Sequence, residues 1–177
     1  MQEQTIALAA RPLWLPSRRL LNSAGFIICM AGLGIAYLYF QSYLNLDPCP
    51  LCIFQRLAMF VMGLIFLAAA IHNPTAAGAR MYGVLIALTA AAGAAIAARH
   101  VWLQHLPPDQ VPACGPTLEY MLDTFPIGDT IRRVLKGSGD CAVIDWTFLD
   151  LGIPAWTLIM FIGLGLTGAL RNWMRAA

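Results

Sequence analysis

Four stretches of this chain, at about 20–40, 53–71, 81–98 and 154–170, are long and apolar enough to cross a lipid bilayer. A membrane helix needs roughly 17–25 mostly apolar residues to span the hydrocarbon core. In the hydrocarbon each backbone amide must find its partner within the protein, so short runs of this kind can only be helices. The whole 177-residue chain is therefore expected to be one all-α domain, an integral membrane four-helix bundle joined by loops at 41–52 and 99–153. Composition agrees, with 59% hydrophobic and 11% charged residues, where a soluble domain carries about 25% charged. No repeat at solenoid spacing and no low-complexity linker interrupts it. The fourth run is the shortest and leans on Trp156 and Trp173, residues suited to the interface.

The first run follows Arg18 and Arg19, as a signal peptide would. Its apolar stretch is too long for one and ends in Tyr39-Phe40-Gln41 without a small-residue cleavage site, so it reads as an uncleaved anchor. Four spans put both termini on one side. That side holds Arg11, Arg18, Arg19, Arg80, Arg171 and Arg175 against Glu3 alone. The other side, with Arg56 counted there, has five basic and eight acidic residues. The basic excess near short segments places the termini and the 72–80 turn in the cytoplasm and both longer loops outside it. No long basic run, aromatic platform or zinc-finger spacing points to nucleic acid.

Of the five cysteines, Cys29 lies inside the first run and the other four fall in the two outward loops. Disulfides persist in oxidising compartments such as the periplasm, so four outward thiols suggest disulfide chemistry. Their pairing stays open, since four cysteines allow three connectivities. The sharper signal is Asp47-Pro48-Cys49-Pro50-Leu51-Cys52, directly ahead of the second run. Pro50 suits the first helical position, where a missing N–H costs nothing, which puts Cys49 at the cap and Cys52 in the first turn. A helix N-terminus favours an anion, and Arg56, four residues on, shares the face of Cys52. Both features favour the Cys52 thiolate, the form that attacks disulfides. Arg56 also stands near the top of a membrane span, where an ionisable group is a functional candidate, although an arginine one turn in can snorkel to the headgroups.

Rival readings of the C-x-x-C are weaker. Ile53 excludes the C-x-x-C-H haem pattern. Cys114 and Cys141 are too far apart in sequence to form the second half of a paired zinc site. A purely structural four-residue disulfide loop would stabilise little. Cys114 sits in Pro112-Ala113-Cys114-Gly115-Pro116, with little scope for regular structure and open to a protein partner. Cys141 follows Gly137-Ser138-Gly139-Asp140, which reads as a flexible stretch. Between them Leu118, Met121, Leu122, Phe125, Ile127, Ile131, Val134 and Leu135 suggest an amphipathic helix on the membrane surface, broken at Pro126 and Gly128. Cys29, Gly32, Gly34, Gly163, Gly165 and Gly168 are expected to serve close helix packing.

Taken together, Cys49-Pro50-Leu51-Cys52-Ile53-Phe54-Gln55-Arg56, Cys114, and Ser138-Gly139-Asp140-Cys141 resemble the disulfide bond formation protein B (DsbB) family of bacterial inner membranes. Trp146-Thr147-Phe148-Leu149 with Pro154-Ala155-Trp156 also looks like that family's lead-in to its last helix, so the resemblance covers essentially the whole chain. It implies a thiol:quinone oxidoreductase that reoxidises a periplasmic thioredoxin-fold partner of DsbA type and reduces a membrane quinone, ubiquinone or menaquinone; the periplasm is kept oxidising by such a relay. Cys114 and Cys141 would take the partner's electrons, Cys114 through a mixed disulfide, and Cys141 would then exchange with Cys49. Cys52 would face the quinone, with Arg56 stabilising the thiolate and the reduced oxygen. His100 and His105 both follow the third run, and either could donate to a quinone carbonyl or manage a proton; His100 matches the family's histidine, while His72 on the opposite turn has no role. Two alternatives remain: a structural or partner-binding four-span protein with inert loop disulfides, and an enzyme of the vitamin K epoxide reductase type. The latter would carry its C-x-x-C near the end of a later helix.

Overall fold

A computed structural model describes residues 17–174. Arg11, Arg175 and Glu3, which entered the charge count above, lie outside the described residues. Helix α1 (Arg18–Gly34) starts at Ser17, whose hydroxyl accepts from the Leu20 N–H at 3.2 Å. It runs on without a break into a nine-residue π-helix, Ile35–Tyr43. Helix α2 is Pro50–His72, α3 is Ala76–Gln104 and α6 is Ile153–Met174. Four helical rods, of 26, 23, 28 and 21 residues, are long and apolar enough to cross a membrane. The shortest reaches about 30 Å at 1.5 Å per residue. Leu38, Ile71, Leu88 and Leu166 are exposed on these rods, a pattern that lipid, not water, accommodates. The protein is a multi-pass membrane protein with an all-α four-helix bundle.

The helices overrun the apolar runs at several ends. The third run ends at 98, but α3 continues to Gln104 and carries His100 on helix. Hydrogen bonding, unlike hydropathy, does not stop where polar side chains begin.

The bundle core holds Cys29, Met62, Phe66, Ile86 and Phe161, all buried. Small residues let the helices close on the large ones. A Cβ on Gly25 or Gly168 would stand 2.8 or 2.7 Å from the Phe66 ring, and one on Gly93 would meet Phe161. Gly32 faces Met160, and Gly165 faces Ala90. A Cβ on Gly34 or Gly163 would meet nothing within 4 Å. These two face open space, so the packing role expected for them does not hold. Among membrane helices, van der Waals contact replaces the hydrophobic drive. Phe66→Ala should therefore cost about 3 kcal/mol, read as a loss of resistance to thermal unfolding in detergent, whereas Gly34→Ala should be neutral or slightly stabilising.

Beyond the bundle, a second cluster of Leu51, Leu103, Met121, Val134 and Cys141 binds the long loop to the start of α2 and the end of α3. The loop carries helices α4 (Leu118–Thr124) and α5 (Ile127–Lys136). Their break falls at Phe125 and Pro126, the latter capping α5; Gly128 sits inside the first turn of α5 and breaks nothing. A glycine one residue into a helix costs only propensity, while Pro126 forces Phe125 out to an extended conformation, ψ 150°. Ile127, Ile131 and Leu135 leave an exposed apolar stripe along α5, as a helix lying on a membrane surface would. Thr130 Oγ1 donates to Met121 O at 3.0 Å and ties the two helices together. Arg99 closes the end of α5, donating from Nη2 to Lys136 O at 2.8 Å while stacking 4.2 Å over Trp102. Ahead of α6, a two-stranded antiparallel hairpin pairs β1 (Thr147–Phe148) with β2 (Leu151–Gly152). Trp156 Nε1 donates to Phe148 O at 3.1 Å and holds the hairpin against α6.

Candidate functional site: a thiol cluster above a cavity

Cys49 caps α2 in an extended conformation and Pro50 follows at the first helical position. Cys52 then falls one turn later, and the Cys49 thiol lies 3.5 Å from Cys52 Sγ. All five cysteines are free thiols. The long α3 brings His100 between the two sulfurs, with Nε2 3.8 Å from Cys49 and Nδ1 3.9 Å from Cys52. His105 turns away, its Nδ1 2.8 Å from Val101 O one turn back, and does not line the cavity.

His100 is buried, and its second partner is Gln55, also buried, with Nε2 3.0 Å from His100 Nδ1. With that amide donating, the ring proton sits on Nε2 and faces Cys49. The sequence reading gives Gln55 no role of its own, although a signal is there: a glutamine inside an apolar helix, three residues after Cys52 and so on its face.

Arg56 reaches back to the first span. Nη1 donates to Gln41 Oε1 at 2.7 Å and Nη2 to Ala36 O at 2.9 Å. Ala36 and Gln41 both belong to the π-helix. Short π segments are often found at functional sites; here the segment anchors the one cation beside the C-x-x-C. Arg56 therefore does not snorkel outward but is held inside the bundle.

Cys49, Cys52, Gln55, Arg56 and His100 open onto a cavity of about 130 Å³. Its other walls come from Gly32, Leu33 and Ala36 of α1 and the π-helix, Met59 of α2, and Met160 of α6. Gln104 adds a further polar group. The carboxylates of Asp47, Asp140 and Asp145 also line it, so the chamber combines apolar walls with several polar and charged groups. The sulfurs of Cys49 and Cys52 and a ring nitrogen of His100 lie within 4.8 Å of one another, close enough to share one soft metal ion.

Cys141 is almost fully buried, at 1% exposure. Cys49 packs against the cluster that buries it, and the Cys141 thiol is held protonated well above the ordinary cysteine range. Proximity to the Cys49 side chain is the main cause, followed by burial and by negative charge on Cys49. Cys114 is exposed. Gly139 brings it close: Gly139 N donates to Ala113 O at 3.2 Å, and a Cβ there would lie 2.7 Å from Pro112 O and 3.2 Å from Cys114 Sγ. The 137–140 stretch is thus not a loose tether. Gly139 is buried because only a glycine lets the two loop segments touch, and Gly137, at φ +83°, turns the chain out of α5.

Asp140 is a second residue to which the sequence reading gives no role. Its carboxylate accepts from Ser138 Oγ at 3.2 Å, and its proximity to the Cys114 thiol opposes the thiolate, so Cys114 ionises above its usual range. Asp140→Asn should speed alkylation of Cys114 by a neutral maleimide at neutral pH. The two rates should converge as pH rises past both thiol pKa values, because each protein is then fully thiolate. An unchanged rate at neutral pH would show that Asp140 does not govern this thiol.

Residues 18–170 match the family model for disulfide bond formation protein DsbB. The chain is 54% identical over 159 residues to the disulfide bond formation protein B of Methylococcus capsulatus, covering 90% of this chain and 96% of that one. It is 48% identical over 168 residues to the protein of the same name from Hahella chejuensis, covering 93% and 98%. A third relative so named, from Nitrosococcus oceani, is 52% identical over 141 residues, covering 80% and 83%.

Proposed function

Because the chain belongs to the DsbB family, we propose that it is a disulfide-forming oxidoreductase of the bacterial inner membrane that oxidises a soluble periplasmic dithiol of DsbA type and passes the electrons to a membrane quinone. The termini face the cytoplasm and the cysteine-bearing loops face the periplasm. The observation that carries this reading is the contiguity of the thiols. Cys114 is exposed and held against Gly139, two residues before Cys141; Cys141 is buried in a cluster against which Cys49 packs; and Cys49 and Cys52 flank His100 at the cavity.

The exposed Cys114 accepts the attack of the partner thiolate on a Cys114–Cys141 disulfide. Two electrons leave the partner, which becomes a disulfide, and two thiols appear at Cys114 and Cys141. Those thiols are reoxidised by exchange with a Cys49–Cys52 disulfide, beginning between Cys141 and Cys49. The result is a reduced C-x-x-C at the cavity. A bound quinone supplies a two-electron, two-proton acceptor there. His100 Nε2 holds a proton next to Cys49, and Gln55 fixes the ring through Nδ1. Arg56, fastened by Ala36 and Gln41, sets a positive charge against the anion that forms at Cys52 or on a carbonyl oxygen.

The direct test uses the purified full chain in detergent with a reduced thioredoxin-fold dithiol and a short-chain quinone. Quinone absorbance should fall catalytically, with one dithiol oxidised per quinone reduced. No turnover across several dithiols and quinones, with the four loop thiols shown intact, would leave inert loop disulfides as the better account.

A further inference from the structure

The bundle has a second cavity, of about 70 Å³, at the end opposite the thiols. It lies between the start of α1 and the end of α6. Its floor is the Phe66 ring, and Gly25 and Gly168 keep it open. Below the rim, Asn22 and Asn172 pair reciprocally at 3.0 and 3.3 Å and join the two helices, both buried. Above the pair stand Arg18 and Arg171, both half-buried and both lining the cavity. The Arg18 Nη1 atom is buried with no hydrogen-bond partner among the described residues.

Two like charges at one small cavity attract an anion. Every acidic residue among those described lies at the other end, at Asp47 or between Asp109 and Asp150. At this end the described charges are Arg18, Arg19, Arg80 and Arg171, with no carboxylate to oppose them. Arg80 has its own contact, lying 5.9 Å over the Trp173 ring. Arg18 and Arg171 are left facing the slot. The same slot is walled toward the bundle middle by Leu21, Ile28 and Leu164. A cationic rim above an apolar channel between membrane helices is complementary to a phosphate carrying an acyl chain.

We infer that Arg18 and Arg171, above the Asn22–Asn172 pair, form a binding site for the headgroup phosphate of one anionic phospholipid. The lipid sits between α1 and α6 and is distinct from any ligand of the thiol cavity. The two guanidiniums offer the fork geometry that phosphate oxygens accept. The chain of the lipid covers the seam that the asparagines hold together.

The experiment is native mass spectrometry of the delipidated full chain in a neutral detergent, titrated with dioleoylphosphatidylglycerol or dioleoylphosphatidylcholine. Wild type should retain one phosphatidylglycerol with a preference on the order of tenfold over phosphatidylcholine. Arg18→Gln with Arg171→Gln should lose the preference, and Arg80→Gln, at the same end but outside the cavity, should keep it. Each single substitution should lose part of it, which provides a reading if the double variant does not fold. Equal retention of the two lipids by wild type, or a preference that survives the double substitution, overturns the proposal. Displacement of the lipid by millimolar inorganic phosphate would also overturn it, by showing a site for free anions rather than for lipid.

Discussion

Replacing Cys52 with serine should lower steady-state quinone reduction by on the order of a thousandfold or more, while leaving the first half of the relay intact. Serine is nearly isosteric and serves well in the first turn of a helix, so α2 should still start at Pro50. What disappears is the sulfur that shares the cavity with Arg56 and stands 3.9 Å from His100 Nδ1. Cys49 then has no partner with which to form the C-x-x-C disulfide, so it cannot reoxidise Cys114 and Cys141. After one round Cys49, Cys114 and Cys141 should all be reduced, visible as complete alkylation by mass spectrometry after tryptic digestion. The soluble dithiol would be oxidised once per molecule and no further. If the variant keeps more than a tenth of wild-type turnover, Cys52 is not the residue that delivers electrons, and the cavity beside it loses its assigned role.

The same cavity shows where sequence reading reaches its limit. Hydropathy locates the four spans because burial in lipid is a property of composition over a window, independent of which way each helix turns. The start of α2 is equally legible, because Pro50 acts locally: its fixed φ and missing N–H specify the first helical position whatever surrounds it. The exposed setting of Cys114 follows in the same way from the prolines and glycine around it. The choice between His100 and His105 is of another kind. It depends on α3 continuing past its apolar run to Gln104 and on the rotation that this helix takes against α2. The π-helix at Ile35–Tyr43 is further out of reach, since nothing in its side chains disfavours an ordinary α-helix. It is stabilised where Arg56 of another helix claims the carbonyl of Ala36. Gln55 and Asp140 are visible as residues, but their partners are not, because each acts across elements distant in sequence. Gly139 misleads for a related reason. A glycine is the signature of a flexible turn and of a close backbone approach alike, and only the neighbouring Pro112 carbonyl decides between them.

Cys141→Ser should split the protein into two working halves. Cys141 is buried, in a cluster against which Cys49 packs, so on the proposed relay a protein dithiol reaches it through Cys114 and it passes the oxidation on through Cys49. Without it the Cys114–Cys141 disulfide cannot form, and Cys114 stands alone as an exposed thiol. Quinone reduction driven by the thioredoxin-fold dithiol should fall by on the order of a thousandfold, matching Cys52→Ser. The two variants should part company when the reductant is small. Dithiothreitol can enter at the cavity mouth and reduce Cys49–Cys52 itself, so quinone turnover with it should remain within a factor of a few of wild type in Cys141→Ser and be absent in Cys52→Ser. That difference separates a relay from a single site. If Cys141→Ser keeps turning over the protein dithiol, the partner reaches Cys49 directly and the packing of Cys49 against the cluster of Cys141 is only structural. If it loses turnover with dithiothreitol as well, burial of Cys141 among Leu51, Leu103, Met121 and Val134 serves to hold the site together, and the serine has broken the fold of the loop rather than one step of electron transfer.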